Sequence, residues 1–118
     1  MDASTPTELL AEHRAAIEAQ LIELTAELDR LAAATELSNH DDEHDPEGAT
    51  VGFERAQLSA LLDRTREHLK EIDAADRRLA SGTYGRCEGC TEPIGDERLR
   101  ALPAARLCVR CAGKAARR

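Results

Sequence analysis

Four cysteines in the last third of the chain are the residues whose type and spacing point most directly to chemistry. Cys87 and Cys90 form one Cys-x-x-Cys pair, and Cys108 and Cys111 form a second pair after 17 intervening residues. Each pair turns two thiolates towards one point, and two pairs supply the four ligands of a tetrahedral site. The spacing therefore predicts one structural zinc ion whose coordination positions are all filled by the protein.

Two other uses of paired cysteines fit this sequence less well. Disulfides are rare in a reducing cytoplasm, and the first residues show neither a basic start nor the apolar stretch of a signal peptide. A thioredoxin-like site needs a single Cys-x-x-Cys in a βαβ context, which the pattern does not provide. No apolar run reaches the roughly 20 residues that span a bilayer. We therefore expect a cytoplasmic protein without a membrane partner.

The amino-acid composition indicates which secondary-structure elements position the cysteines. The 118 residues include 21 Ala and 15 Leu but no Trp, one Tyr and one Phe, which favours long helices over sandwiches or barrels. This length leaves no room for a catalytic α/β core with a cofactor domain. The four histidines are scattered without a nucleophile beside them, so the sequence does not predict an enzyme.

A first long helix is predicted over residues 6–38. Thr5 and Glu8 form a capping box around Pro6, which suits the first helical position. Apolar residues then recur at alternating steps of three and four, as in a coiled-coil seam, with Arg14 in one gap. The seam residues are Leu10, Ile17, Leu21, Leu24, Leu28 and Leu31.

A second helix of matching length is predicted to start between Asp45 and Thr50 and to end at Ser81-Gly82. Its seam consists of Leu58, Leu62, Thr65, Leu69, Ile72 and Leu79, and Asp76 interrupts it. Two seams of equal length joined by a short loop predict an antiparallel hairpin with helices about 50 Å long. Helices that pair between chains are the alternative, but the matched lengths and the loop between them favour the hairpin, and we expect a monomer.

The predicted organisation is thus mostly α: an antiparallel coiled-coil hairpin over residues 1–82, then a small four-cysteine zinc finger with a short basic tail over residues 83–118. The junction of the helices, at about residues 40–50, is strongly acidic and contains Asp41, Asp42, Asp45 and Glu47. A solvated turn explains such acids, and an irregular metal site is a weaker explanation. The third interpretation is a cluster of negative charge held about 50 Å from the zinc module.

The zinc segment resembles a known family. It contains Tyr84-Gly85 before the first cysteine pair, and between the pairs it reads Ile94-x3-Arg98-Leu99-x-Ala101-x-Pro103. This run is much more specific than a double Cys-x-x-Cys, and it resembles the DksA/TraR family of bacterial RNA-polymerase-binding transcription factors. The predicted hairpin also fits that family in length and order.

The resemblance implies a function by binding. Family members insert the coiled coil into the secondary channel of RNA polymerase, with acidic tip residues near the catalytic region and the zinc module at the channel rim. The tip candidates here are Asp41, Asp42, Asp45 and Glu47, with Glu47 where the family's Asp-x-x-Asp-x-Ala motif has Ala. Arg98 and Arg100 are candidate contacts on the zinc module.

The resemblance also names a possible second ligand, the alarmone ppGpp at the polymerase interface. Leu102 precedes Pro103 where relatives use a basic residue to hold ppGpp. This difference leaves cooperation with the alarmone open.

Two other classes of function compete with a polymerase factor. A DNA-binding zinc finger would use the arginines of the C-terminal third, but the chain carries a net charge of -7 and residues 1–82 would be repelled by DNA. We therefore expect no sequence-specific DNA binding. The other class is an interaction scaffold whose zinc module only holds a hairpin together.

Overall fold

Four helices account for most of the chain in the computed structural model, which describes residues 4–38 and 46–117. They are α1 (Pro6–Ser38), α2 (Pro46–Ser81), α3 (Asp96–Ala101) and α4 (Val109–Ala116). Within the described ranges the extended structure is one isolated antiparallel bridge between Arg86 and Pro93. The mostly helical fold is therefore confirmed. None of the helices in these ranges has the length and hydropathy needed to cross a bilayer.

The first turn of α1 is closed by the predicted capping box. The Thr5 N–H donates to Glu8 Oε1 at 2.8 Å, and the Glu8 N–H donates to Thr5 Oγ1 at 3.1 Å. These reciprocal bonds satisfy two backbone donors that have no partner within the helix. They also lower the pKa of the Glu8 carboxyl, chiefly through the Thr5 backbone N–H. This contribution to stability is present above the unfolded-state pKa and is lost as the pH falls through the folded-state pKa.

The last turn of α2 ends at the glycine that the sequence indicated. Gly82 has φ 83°, a left-handed conformation that costs glycine little. The Thr83 N–H donates to the Arg78 carbonyl at 2.9 Å, and the Gly82 N–H donates to the Leu79 carbonyl at 3.4 Å. This pair of bonds is a Schellman motif, which turns the chain out of the helix and into the cysteine segment.

The Cα positions divide the chain into two compact units, Met1–Ala15 together with Leu69–Arg118, and Ala16–His68. In the first unit, the start of α1 lies beside the end of α2. The Arg14 guanidinium is 2.7 Å from Asp73 Oδ1 and 2.6 Å from Asp76 Oδ2. The two helices therefore run antiparallel, as the matched seams predicted.

The buried side chains of the two long helices, apart from Ala75, lie along the predicted seams. The residues are Leu10, Ile72 and Ala75 in the first unit, and Ile17, Leu24, Leu62 and Thr65 in the second. Thr65 is the one polar member of this set, and its hydroxyl donates to the Leu61 carbonyl at 2.8 Å. Because that bond lies within α2, the hydroxyl needs no partner on α1.

One seam position differs from the sequence prediction. Ala75 is fully buried, at 0% exposure, whereas Asp76 has a half-exposed side chain that reaches Arg14. The seam thus continues from Ile72 by a step of three to Ala75 and then by four to Leu79. The small alanine is buried where the pattern suggested an interruption by Asp76. The two apparent defects, Arg14 and Asp76, are partners across the helix pair.

The ion pairs of Arg14 yield a first prediction. Arg14→Ala is expected to lower the free energy of unfolding by about 1 kcal/mol, because one guanidinium serves two partly exposed carboxylates. Arg30→Ala, at an exposed position of the same helix, is the matched control. Urea titration at low and high salt measures the effect, and the difference between the variants should shrink with salt. A difference that does not change with salt would contradict a role of the charges.

Candidate metal centre

The first cysteine pair lies in a tight turn that the Arg86–Pro93 bridge closes. The Cys87 N–H donates to the Glu92 carbonyl at 2.8 Å, and the Thr91 N–H donates back to the Cys87 carbonyl at 2.9 Å. Thr91 has φ 65°, which a β-branched residue rarely adopts. The backbone bonds of the turn hold this conformation and bring Cys87 and Cys90 to the same side.

The second cysteine pair spans the first turn of α4. Cys108 is the N-cap residue of that helix, and its sulfur accepts the Cys111 N–H at 3.4 Å. Residues three apart in a helical turn lie on one face, so both sulfurs point in the same direction. The helix start therefore presents Cys108 and Cys111 to the first pair.

The four sulfur atoms meet in one place. All lie within 4.8 Å of one another, and Cys90 Sγ and Cys108 Sγ are 3.9 Å apart. A tetrahedral zinc with Zn–S bonds of about 2.3 Å requires sulfurs about 3.8 Å apart, so the cluster fits the ion. The predicted ligand set of a single structural zinc is therefore brought together. With four cysteines the coordination is complete and leaves no position for a substrate.

Backbone donors prepare the cluster for negative charge. The N–H groups of Cys108 and Gly89 each lie 3.3 Å from Cys87 Sγ, which is buried. Hydrogen bonding by the Cys108 backbone is the main cause that lowers the pKa of Cys87 to about 6. In contrast, hydrogen bonding to the Cys87 sulfur is the main cause that raises the pKa of Cys111 to about 12. Because thiolates are the ligands of zinc, binding of the ion at this cluster should release protons from the cysteines whose pKa is raised.

Glycine at position 89 is required by the close approach of the two pairs. A Cβ atom there would lie 3.0 Å from Cys111 Sγ and 3.3 Å from Cys111 Cβ. Such a distance to the ligand atom forces a shift, and a shift of Cys111 would move one corner of the tetrahedron. Gly89 thus allows the first turn to pack directly against the second cysteine pair.

The two predicted contact arginines of the zinc module have different surroundings. Arg98 is half-buried, and its Nε donates to the Leu107 carbonyl at 2.8 Å, just before Cys108. This bond gives Arg98 a part in holding the second cysteine pair. Arg100 is exposed and lines a shallow pocket of about 240 Å³ with Leu9, Tyr84 and Leu99. Contact of either residue with a partner stays a prediction.

Sequence reasoning missed Arg78 and Glu88, whose side chains connect the end of α2 to the zinc module. Arg78 of α2 donates to the carbonyls of Ala104 and Ala105, and its guanidinium faces the Glu88 carboxylate. No local pattern marks either residue, because their partners lie far away in the chain. The tip candidates Asp41, Asp42 and Asp45 lie outside the described residues, and Glu47 is described only as part of the α2 backbone.

Comparisons with known proteins agree with this site. The prokaryotic dksA/traR C4-type zinc finger family matches residues 82–117. The RNA polymerase-binding transcription factor DksA of Caulobacter vibrioides is 42% identical over 74 residues, which are 63% of this chain and 51% of that protein. The factor of the same name from Escherichia coli K12 is 32% identical over 104 residues, 86% of this chain and 68% of that protein.

A solved structure extends the similarity beyond the zinc segment. The structure of transcription factor DksA2 from Pseudomonas aeruginosa is 29% identical and covers 99% of this chain and 91% of its own, with a TM-score of 0.57. Among the curated relatives that match a shorter stretch, the chain spans about half of the relative's length or less. With the C4 zinc finger matched and 68% of the Escherichia coli factor covered, the chain belongs to the DksA/TraR family.

Proposed function

We propose that this protein regulates transcription by binding RNA polymerase and placing the acidic junction of its two long helices in the secondary channel. The supporting observation is that similarity to a factor named for RNA polymerase binding extends over 86% of the chain. The similarity to the DksA2 structure covers 99% of the chain, so it includes both long helices as well as the zinc segment. An acidic junction suits a basic, magnesium-bearing cavity, because opposite charge favours insertion.

We assign a separate role in polymerase binding to each of the two parts of the sequence. Residues 1–82 supply the arm, and residues 83–118 supply the base that rests at the channel rim, where exposed Arg100 is the candidate contact. The protein acts by binding and not by catalysis, since the four cysteines leave zinc no open position. It works in the cytoplasm, where the polymerase is, and it does not recognise a specific DNA sequence.

We propose that the protein is a monomer, because Arg14 is paired with Asp73 and Asp76 of its own chain.

Dependence on ppGpp is expected to be weak. Leu102 presents a half-exposed apolar side chain, 48% exposed, at the position where the family resemblance places a basic residue. An apolar side chain offers no charge-assisted bond to a phosphate. Transcription assays with and without ppGpp measure this directly, and the Leu102→Arg variant should increase the response. A full ppGpp response of the wild type would contradict the expectation.

The decisive test of channel function is a double substitution at the junction. Asp42→Asn with Asp45→Asn removes two charges and keeps the side-chain shapes. We expect this variant to bind core polymerase as the wild type does, because the arm and zinc module supply most of the contact area. Its effect on transcription in vitro should be lost, since the charge that would act near the active site is gone.

A matched control removes equal charge elsewhere on the arm. Glu23→Gln with Glu27→Gln alters two exposed acids of α1 and should leave regulation intact. Site-specific crosslinking from residue 42 should reach the interior of the secondary channel. Undiminished regulation by the junction variant would reject a role of these acids. Crosslinks only to the polymerase exterior would reject insertion itself.

A further inference from the structure

A single side chain at the end of α2 contacts both halves of the zinc module. Arg78 is largely buried, with 13% of its side chain exposed. Its Nη2 donates to the carbonyl oxygens of Ala104 and Ala105, at 3.3 and 3.4 Å. These carbonyls belong to the segment that leads to the second cysteine pair. The hydrogen bonds of Arg78 therefore depend on where that half of the module lies.

The other half reaches Arg78 through Glu88, which lies between Cys87 and Cys90. One oxygen of the Glu88 carboxylate is 4.0 Å from Arg78 Nη1, and the other is 3.5 Å from Arg106 Nη1. The Glu88 N–H also donates to the Arg106 carbonyl at 2.9 Å. The complete set of acceptors around Arg78 therefore requires both cysteine-bearing segments, because Glu88 lies on one of them and Ala104 and Ala105 lie on the other.

Apolar packing gives little independent support to that arrangement. Ile94 and Pro103 are buried in the module and Leu99 and Leu107 are half-buried, but Leu102 and Val109 are 48% and 67% exposed. So small an apolar core does not fix the two segments against each other, and a shared metal ion does. Metal occupancy therefore decides whether the guanidinium of Arg78 has its acceptors.

We propose that Arg78 couples the zinc site to the last turn of α2. A mostly buried guanidinium without acceptors is costly, so loss of the metal favours opening of the turn that carries it. The same residue also closes that turn, since its carbonyl accepts the Thr83 N–H at 2.9 Å and the Ser81 hydroxyl at 3.2 Å. By thermodynamic linkage, the ordered last turn strengthens zinc binding to the same extent. This coupling lies within the protein and does not depend on the polymerase.

Hydrogen exchange tests the first half of the proposal. In the wild type, removal of zinc by a chelator should increase exchange of the backbone amides in residues 75–83. Arg78→Gln should show fast exchange in these residues already with zinc present, and chelation should add little. Arg77→Gln, at the exposed neighbouring position, is the matched control and should behave as the wild type. Unchanged wild-type exchange in residues 75–83 after chelation would overturn the coupling.

Zinc affinity tests the second half. Competition with a chromophoric chelator should show that Arg78→Gln binds zinc about tenfold more weakly than Arg77→Gln, a typical effect of losing a residue outside the ligand set that supports it. Glu88→Gln keeps the sequence of α2 but removes the carboxylate that faces Arg78, and it should weaken zinc binding in the same direction, so it tests the coupling if Arg78→Gln fails to fold. Wild-type zinc affinity in the folded variants would reject the proposal.

Discussion

Cys87→Ser is expected to abolish high-affinity zinc binding and to unfold residues 83–117 while the long helices remain formed up to the last turn of α2. Cys87 is the buried member of the cluster, and its sulfur accepts the backbone N–H groups of Gly89 and Cys108. Structural zinc contributes on the order of 10 kcal/mol to folding of small modules, and the exposed Leu102 and Val109 show how little apolar core replaces it.

The measurement combines metal stoichiometry with limited proteolysis. The wild type should contain one zinc per chain and resist proteolysis within residues 83–117. Cys87→Ser should contain no zinc and should be cleaved within these residues. Glu92→Gln, in the same turn but with an exposed side chain, is the control and should retain zinc. A protease-resistant C-terminal third in metal-free Cys87→Ser would show that the module folds without the ion.

Leu24→Asp is expected to destabilise the helix pair by several kcal/mol. Leu24 is 9% exposed in the seam of α1, so an aspartate there would bury a charge in an apolar seam. A buried unpaired charge either costs that much or forces the helices apart to hydrate it. Leu62→Asp, on the facing seam of α2 and 4% exposed, should have a similar effect.

Ile22→Asp provides a closely matched control. Ile22 lies two residues before Leu24 in the same helix, but it is 72% exposed. The same type of substitution at this position should cost less than about 1 kcal/mol, mainly through helix propensity. Urea unfolding followed by ellipticity at 222 nm compares the three variants. Equal destabilisation by Ile22→Asp and Leu24→Asp would show that the seam is assigned to the wrong face.

Local signals in the sequence were sufficient for the start of the first long helix, the end of the second and the zinc ligands, whereas the short helices α3 and α4 were not predicted. The Thr5–Glu8 capping box and the left-handed Gly82 each depend on residues within a few positions, and both occur as predicted. The cysteine pairs likewise predict their own geometry, because each pair is one turn. These features need no knowledge of what packs against them.

The heptad pattern of the sequence does not predict contacts between residues that are far apart in the chain. Arg14 and Asp76 are 62 positions apart, and each was interpreted as an isolated gap in its own seam. Only the register of the antiparallel helices reveals that they are partners, and a heptad pattern does not fix that register. For the same reason the burial of Ala75 and the contacts of Arg78 with Ala104 and Ala105 were not anticipated. The role of the acidic junction stays a prediction.

Tyr84 gives the protein a natural optical probe of its C-terminal module. It is the sole tyrosine of a chain without tryptophan, and its hydroxyl donates to the Pro103 carbonyl at 2.7 Å. Burial raises the pKa of this phenol above its ordinary value. Near-ultraviolet absorbance and tyrosine emission therefore report on one position only, next to the first cysteine pair. Folding of the module can be followed spectroscopically without a label, and separately from the far-ultraviolet signal that the long helices dominate.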